Sequence, residues 1–314
     1  MNLKGRSLNN LFDLSIEEFH YLINLAHSLK KEKKSNIFPN RLKNKNIALI
    51  FEKPSTRTRC SFIIASHDEG AHAECLGQED IHLGEKESIQ DTARVLGRLF
   101  DGIMFRGFKH ETLETLIQFA KVPVWNALTD LHHPTQALAD IMTCQEYLGH
   151  LAGKKLVYLG NADNNVAHSL LIAATYSGLQ TVVSCPKSLQ PNKNVVEQCL
   201  QISKLTNATL TFTEDPYQAV KNADCIYTDV WISMGEEKKE MLQERLQTLL
   251  PYQVNKNLLQ ATHNSNCLLL HCLPAYKGKE ITEDIFEEKQ NSIFDLAENR
   301  MHTIKAVMLA TLTP

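Results

Sequence analysis

Short apolar runs that each end in a charged or hydroxyl-rich turn recur along this chain, and few folds accommodate that pattern. Residues 46–51, 102–107, 123–126, 155–159, 181–185, 210–212, 225–228 and 267–270 are too short for helices and rich in Ile, Val and Leu. Such runs read as strands buried on both faces. Longer stretches between them carry apolar residues at helical spacing. In 87–100, for example, Ile89, Ala93, Leu96 and Leu99 or Phe100 share one face. Helices are predicted likewise over 15–30, where Ser15 and Glu18 form a capping box, and over 58–69, 111–121, 133–150, 165–177, 192–205, 216–221 and 292–312. Alternating strands and helices predict an α/β protein with parallel sheets. The pattern restarts after the helix ending near residue 150, so two doubly wound parallel-sheet domains are expected.

Bulk properties suit that reading. A chain of 314 residues with 43% hydrophobic and 22% charged content can bury two cores. A net charge of -3 argues against general affinity for nucleic acid or anionic membranes. The basic run Lys30-Lys31-Glu32-Lys33-Lys34 reads as a solvated helix end. No apolar run approaches the roughly 20 residues that span a bilayer. Eight cysteines form no CxxC pair, and no secretory leader pattern opens the sequence, so a reducing, cytoplasmic setting without disulfides is expected. His132-His133 and His271-Cys272 lack zinc-finger spacing, so no metal is expected.

The most specific chemistry lies in Phe51-Glu52-Lys53-Pro54-Ser55-Thr56-Arg57-Thr58-Arg59, where a strand runs into a helix. Hydroxyls, first-turn N–H groups and an arginine fork suit a small, strongly charged anion. A solvated basic turn with an N-cap is the plainer alternative. Further motifs also follow predicted strands: Phe105-Arg106-Gly107, Asp229 to Gly235, and His271-Cys272-Leu273-Pro274. Ligands of open α/β sheets sit beyond the carboxyl ends of strands, which points to one cleft shared by the two domains. The turn after 155–159 reads Gly160-Asn161-Ala162-Asp163-Asn164-Asn165 and not GxGxxG, which disfavours a dinucleotide cofactor.

With His133-Pro134-Thr135-Gln136 and Glu298-Asn299-Arg300, six motifs stand in the order and rough spacing of the aspartate/ornithine transcarbamylase family, and the chain resembles its ornithine branch. That resemblance implies a carbamoyl-phosphate-binding domain at 1–148, an ornithine-binding domain at 149–290, and a C-terminal helix at 291–314 returning to the first domain. The implied reaction moves the carbamoyl group of carbamoyl phosphate to the δ-amine of L-ornithine, giving L-citrulline and phosphate, with no redox cofactor and no metal. The resemblance assigns Ser55, Thr56, Arg57, Thr58 and Arg300 to the phosphate, Arg106, His133 and Gln136 to the carbamoyl end, and His82, Cys272 and Leu273 to carbamoyl phosphate as well, with Arg106, His133 and Cys272 as the catalytic residues. Asn165, Asp229, Ser233 and Met234 are implied for ornithine. Cys272 is implied near the reacting δ-amine and the carbamoyl group, with the carbonyls of Cys272 and Leu273 beside it. His82 lies in a loop that family members lend to a neighbouring subunit, so a homotrimer with shared sites is implied.

Each assignment has a plainer rival. His132 competes with His133, which could merely cap a helix. Cys272 could be an inert buried thiol. Arg300 could pair with Glu298 or Asp295, and Asp229 could cap a strand. Gly160-Asn161 and Asp163 depart from the usual family turn, and many members have glutamine where His82 stands. The loop after Asp229 has no cation before Lys238, which disfavours a dicarboxylate acceptor. Carbamoyl transfer to putrescine or a modified ornithine, and a catalytically silent binding subunit, are the alternatives.

Overall fold

The computed structural model describes residues 2–81, 87–232 and 239–313. The chain divides into two compact units, Met1–Met142 with Glu298–Pro314, and Thr143–Ala297.

The first unit contains α1 (Ile16–Lys34), β1 (Asn46–Phe51), α2 (Thr56–Asp68), β2 (His72–Gly77), α3 (Ile89–Leu99), β3 (Gly102–Arg106), α4 (His110–Ala120), β4 (Val124–Leu128) and most of α5 (Pro134–Leu148). Ser15 caps α1 through the predicted box: its Oγ accepts from Glu18 N at 3.2 Å, and Glu18 Oε2 accepts from Ser15 N at 2.9 Å. The four strands are all parallel in the order β2-β1-β3-β4. Strand order reverses between β1 and β3, so the chain leaving these two strands diverges to opposite sides and opens a crevice at their carboxyl ends. Ala48, Ile50, Ile103 and Phe105 pack with Ala93 and Leu96 of α3 and Leu113 and Leu116 of α4.

The second unit contains β5 (Lys155–Leu159), α6 (Asn165–Tyr176), β6 (Gln180–Ser184), α7 (Lys193–Thr206), β7 (Thr209–Thr213), α8 (Pro216–Val220), β8 (Cys225–Thr228), α9 (Lys239–Leu249), α10 (Lys256–Gln260), β9 (Leu268–His271) and the first half of α11 (Glu283–Leu312). Its five strands are again parallel, in the order β7-β6-β5-β8-β9, with the reversal between β5 and β8. Val157, Leu159, Ile226 and Leu269 form a core with Ile285 and Ile293 of α11.

The end of α11 belongs to the first unit, where charge and polarity fix it. Lys305 Nζ and Lys33 Nζ lie 2.6 and 2.7 Å from Asp68 Oδ2, and Lys30 Nζ donates to Asn299 Oδ1 at 2.7 Å. Trp125 Nε1 donates to Thr311 Oγ1 at 3.0 Å. No described helix is long and apolar enough to cross a membrane, and all eight cysteines are free.

The sequence pattern did not predict β2, α9 or α10, and α11 begins at Glu283, ahead of the predicted 292. β2 is an edge strand whose residues are mostly half-exposed, so no continuous apolar run announces it. The close approach of α3 and α4 needs Gly97, since a Cβ there would lie 1.8 Å from the carbonyl oxygen of Ala120. Gly97→Ala is expected to lower the stability of the folded chain by about 1–3 kcal/mol through overpacking. Urea unfolding checks this, and an unchanged midpoint would mean that the helix pair has room to spread.

Candidate active site

The crevice of the first unit begins where β1 and β3 end. Glu52 N donates to Arg106 O at 2.9 Å and Glu52 Oε2 accepts from Phe108 N at 2.8 Å, which ties the two strand exits together. Gly107 is required at this junction, because a Cβ would meet the Phe105 ring at 2.2 Å and the Glu52 carboxylate at 2.3 Å. α2 then starts beneath Ser55, whose Oγ accepts from Thr58 N at 3.2 Å. The cap leaves other first-turn N–H groups of α2 at the crevice, where the helix dipole favours negative charge.

Thr58 gathers two arginines. Its fully buried Oγ1 accepts from Arg300 Nη2 at 2.7 Å and from Arg106 Nη1 at 3.4 Å. Arg106 and Arg300 are themselves buried. His133 is buried beside them, and its imidazole is held well below its usual range, first by loss of solvation and then by the positive charges of Arg300, Arg106 and Arg57. Three guanidiniums, a neutral imidazole and a helix N-terminus thus converge on one region. Such a region offers N–H donors from a charge-dense wall and suits a multiply charged anion.

The structure separates the two adjacent histidines. His132 turns away: its ring meets that of His110 edge-on at 5.5 Å, and its backbone closes a turn on Thr129. His133 O accepts from Gln136 N at 3.1 Å as α5 begins. The side chain of Gln136 donates from Nε2 to Asp140 Oδ1 at 2.9 Å. The rival partners of Arg300 are engaged elsewhere, Glu298 with His302 and Asp295 with the hydroxyl of Tyr147.

In the second unit, the exits of β5, β8 and β9 carry the candidate residues. Gly160 follows β5 at a φ of +113, and a Cβ there would lie 3.0 Å from Trp231 Nε1, so the turn after β5 packs closely on the chain leaving β8. Asn164 caps α6, accepting from Val166 N and Ala167 N, which makes half-buried Asn165 its first residue. Asp229 is buried directly after β8 and accepts from Val230 N at 2.7 Å and from the Cys272 thiol at 2.9 Å. Burial raises its carboxyl above the ordinary range, although His271, the thiol and the Val230 N–H oppose that shift. Buried Tyr158 lies close enough that Asp229 helps to push its hydroxyl pKa up, after burial itself.

Two residues outside the predicted set complete this arrangement. Fully buried Glu280 lies 3.2 Å through Oε1 from His271 Nε2, while His271 Nδ1 accepts from Leu273 N at 2.9 Å. The ring is therefore the Nε2–H tautomer. Leu273 has a φ of +60, a strained conformation for a branched side chain, and the His271 bond holds it there. His271 was visible within the motif, but nothing in the sequence spacing singles out Glu280.

Asp229, His271 and Cys272 bring possible ligand atoms within 4.8 Å of one another. Both His271 nitrogens are already engaged and the thiol donates to Asp229, so this group reads as a hydrogen-bond network and not as a metal centre. The predicted residues His82, Ser233 and Met234 lie outside the described residues.

The buried imidazole of His133 has a consequence for stability. Unfolded, it takes up a proton near pH 6.5, whereas folded it does so only at much lower pH. Stability present above about pH 6.5 is therefore lost as pH falls below it, because the unfolded chain binds the proton first. His110 and His302, both lowered by burial, act with the same sign. Urea stability is expected to fall between about pH 7.5 and 5.5, and less steeply in His133→Gln. Equal slopes in the two proteins would contradict a buried neutral His133.

Comparison with known proteins accounts for both halves. The carbamoyl-P binding domain model of aspartate/ornithine carbamoyltransferases matches residues 6–146, and the Asp/Orn binding domain model matches 152–311. An ornithine carbamoyltransferase from Thermotoga petrophila is 51% identical over 312 residues, covering 99% of each chain. A Bacillus licheniformis ornithine carbamoyltransferase described as catabolic is 50% identical over 329 residues, covering 99% of this chain and 98% of its own. The solved structure of ornithine carbamoyltransferase from Pyrococcus furiosus superposes with a TM-score of 0.95 at 42% identity, over 99% of this chain and 98% of that one. A strand-exit crevice lined by arginines in one unit and a buried acid–thiol pair in the other thus occur in a chain that belongs to the aspartate/ornithine carbamoyltransferase family.

Proposed function

We infer that this chain is an ornithine carbamoyltransferase, which moves the carbamoyl group of carbamoyl phosphate to the δ-amine of L-ornithine and releases L-citrulline and phosphate. The observation that carries the reading is the convergence of Arg57, Arg106 and Arg300 on neutral His133, the first two arginines and the histidine lying in the part matched by the carbamoyl-P binding model. In the reaction the neutral amine nitrogen forms the new C–N bond, the C–O bond to phosphate breaks, and the electron pair leaves with the phosphate. One proton departs from the amine.

Ser55, Thr56, Arg57 and Thr58, with Arg300, hold the phosphate. The α2 N-terminus and the guanidiniums support that role, and Thr58 also aligns Arg106 and Arg300 through its hydroxyl. Arg106 and neutral His133 donate to the carbonyl oxygen as charge grows on it, and preorganised donors of this kind favour the transition state over the ground state. Gln136 takes the carbamoyl nitrogen. Asn165 and Asp229 hold the amino-acid end of ornithine, with Ser233 and Met234 closing over it, while Cys272 lies beside the δ-amine and the carbamoyl group to help take up the departing proton, and the carbonyls of Cys272 and Leu273 face carbamoyl phosphate. Residues 1–148 serve carbamoyl phosphate, 149–290 serve ornithine, and 291–314 return Arg300 to the first group. The enzyme acts in the cytoplasm as a homotrimer, with His82 supplied to a neighbouring subunit's site. Eight free cysteines support the location, and the family resemblance supports the assembly.

Purified enzyme should form citrulline from carbamoyl phosphate with ornithine, and no product with putrescine, aspartate or N-acetylornithine. Arg57→Ala should lose at least about 100-fold in turnover, as expected for a charge-assisted anion contact. Equilibrium sedimentation of the same preparation should give a trimer. Preferred turnover of another amine would overturn the ornithine assignment while leaving the anion site standing. A fully active monomer would overturn the shared site.

A further inference from the structure

Gln136 is nearly fully buried, and the two ends of its amide are treated differently. Nε2 donates to Asp140 Oδ1 at 2.9 Å, whereas Oε1 has no hydrogen-bond partner among the described residues. The two residues stand four apart on α5, on one helix face, and Asp140 is fully buried. An amide has one donating and one accepting end of nearly equal shape, so its orientation follows from its neighbours. A carboxylate only accepts. With Asp140 behind it, Gln136 must turn its nitrogen inward and its oxygen away. A buried acceptor left open in this way is costly unless a ligand donor meets it.

We propose that Asp140 is a positioning residue that fixes the orientation of Gln136, so that Gln136 Oε1 accepts from the carbamoyl –NH2 and the site selects carbamoyl over other acyl phosphates. The inference rests on the carbamoyl-transfer reading and specifies how that site recognises its acyl group. An acetyl group matches carbamoyl in shape but puts a methyl where the N–H should be, leaving Oε1 buried and unmet. Sites built to hydrogen-bond a substrate N–H discriminate strongly against analogues that lack it. His133 and the arginines see the same phosphate and carbonyl in both compounds and cannot make this distinction.

The test uses two stable probes that differ only in this group, phosphonoacetamide and acetonylphosphonate, titrated calorimetrically into the folded enzyme without ornithine. The parent enzyme should bind the amide at least about 10-fold more tightly than the ketone, the scale of one unmet buried polar group. In Asp140→Asn the side chain can donate or accept, Gln136 is no longer fixed, and the preference should narrow by about 10-fold or vanish. The isosteric exchange Gln136→Glu with Asp140→Asn restores one donor facing one acceptor and should recover the preference to within about 3-fold of the parent. The ratio cancels any general loss of phosphonate binding, and the exchanged pair supplies a second variant should Asp140→Asn fail to fold.

An unchanged ratio in Asp140→Asn, a double variant no better than the single one, or no preference in the parent would each overturn the proposal. Failure of the parent to bind either phosphonate would instead sink the carbamoyl-phosphate reading beneath it.

Discussion

The hydrogen bond from Arg300 to the buried hydroxyl of Thr58, 2.7 Å long and spanning 242 residues of sequence, is the contact on which the buried arginine cluster depends. It ties the last helix to the first turn of the helix that follows the phosphate-type loop. It also fixes Arg300 where its charge, with those of Arg106 and Arg57, adds to burial, the larger cause, in keeping His133 neutral. Burying several guanidiniums in one region is unfavourable unless each finds acceptors. Thr58 supplies one such acceptor to two of them, and a dianion would supply several more. The pairs Lys305–Asp68 and Lys30–Asn299 hold the helix on either side of Arg300, so the register of that helix is fixed by contacts independent of substrate.

The second unit follows the same topological logic with the opposite charge. Its strand order also reverses at the centre, and the exits of β8 and β9 bring Asp229 and Cys272 together. Burial raises the Asp229 carboxyl, so an incoming ammonium is worth more there than at a solvated acid, and each partner favours the charged form of the other. His271 and Glu280 act behind this pair by holding Leu273 in its left-handed conformation, which fixes where the Cys272 and Leu273 carbonyls lie. A parallel sheet thus serves as a rigid frame in both units, and the irregular chain beyond its strands carries the candidate residues.

Much of this was legible in the sequence because strands buried on both faces are continuous apolar runs that end abruptly. β1, β3, β5, β8 and β9 stood out for that reason, and with them the positions of Ser55, Arg106, Asp229 and Cys272. Edge strand β2 lacked the signal, as did the short helices α9 and α10. His133 was separable from His132 only in three dimensions, once the latter was seen against His110 and Thr129. Asp140 was hidden in a helix that read simply as helix, although its spacing of four from Gln136 was the available clue. Glu280 had no such clue, because its partner His271 lies across a loop whose path no periodicity describes.

Titrating inorganic phosphate into the parent enzyme and into Arg300→Gln, with binding followed calorimetrically, tests the arginine cluster most directly. Loss of one charge-assisted contact of this kind should weaken phosphate binding by about 10-fold or more. Equal affinity in two well-folded proteins would show that Arg300 only braces the last helix, and the convergence of three arginines on one anion would no longer stand.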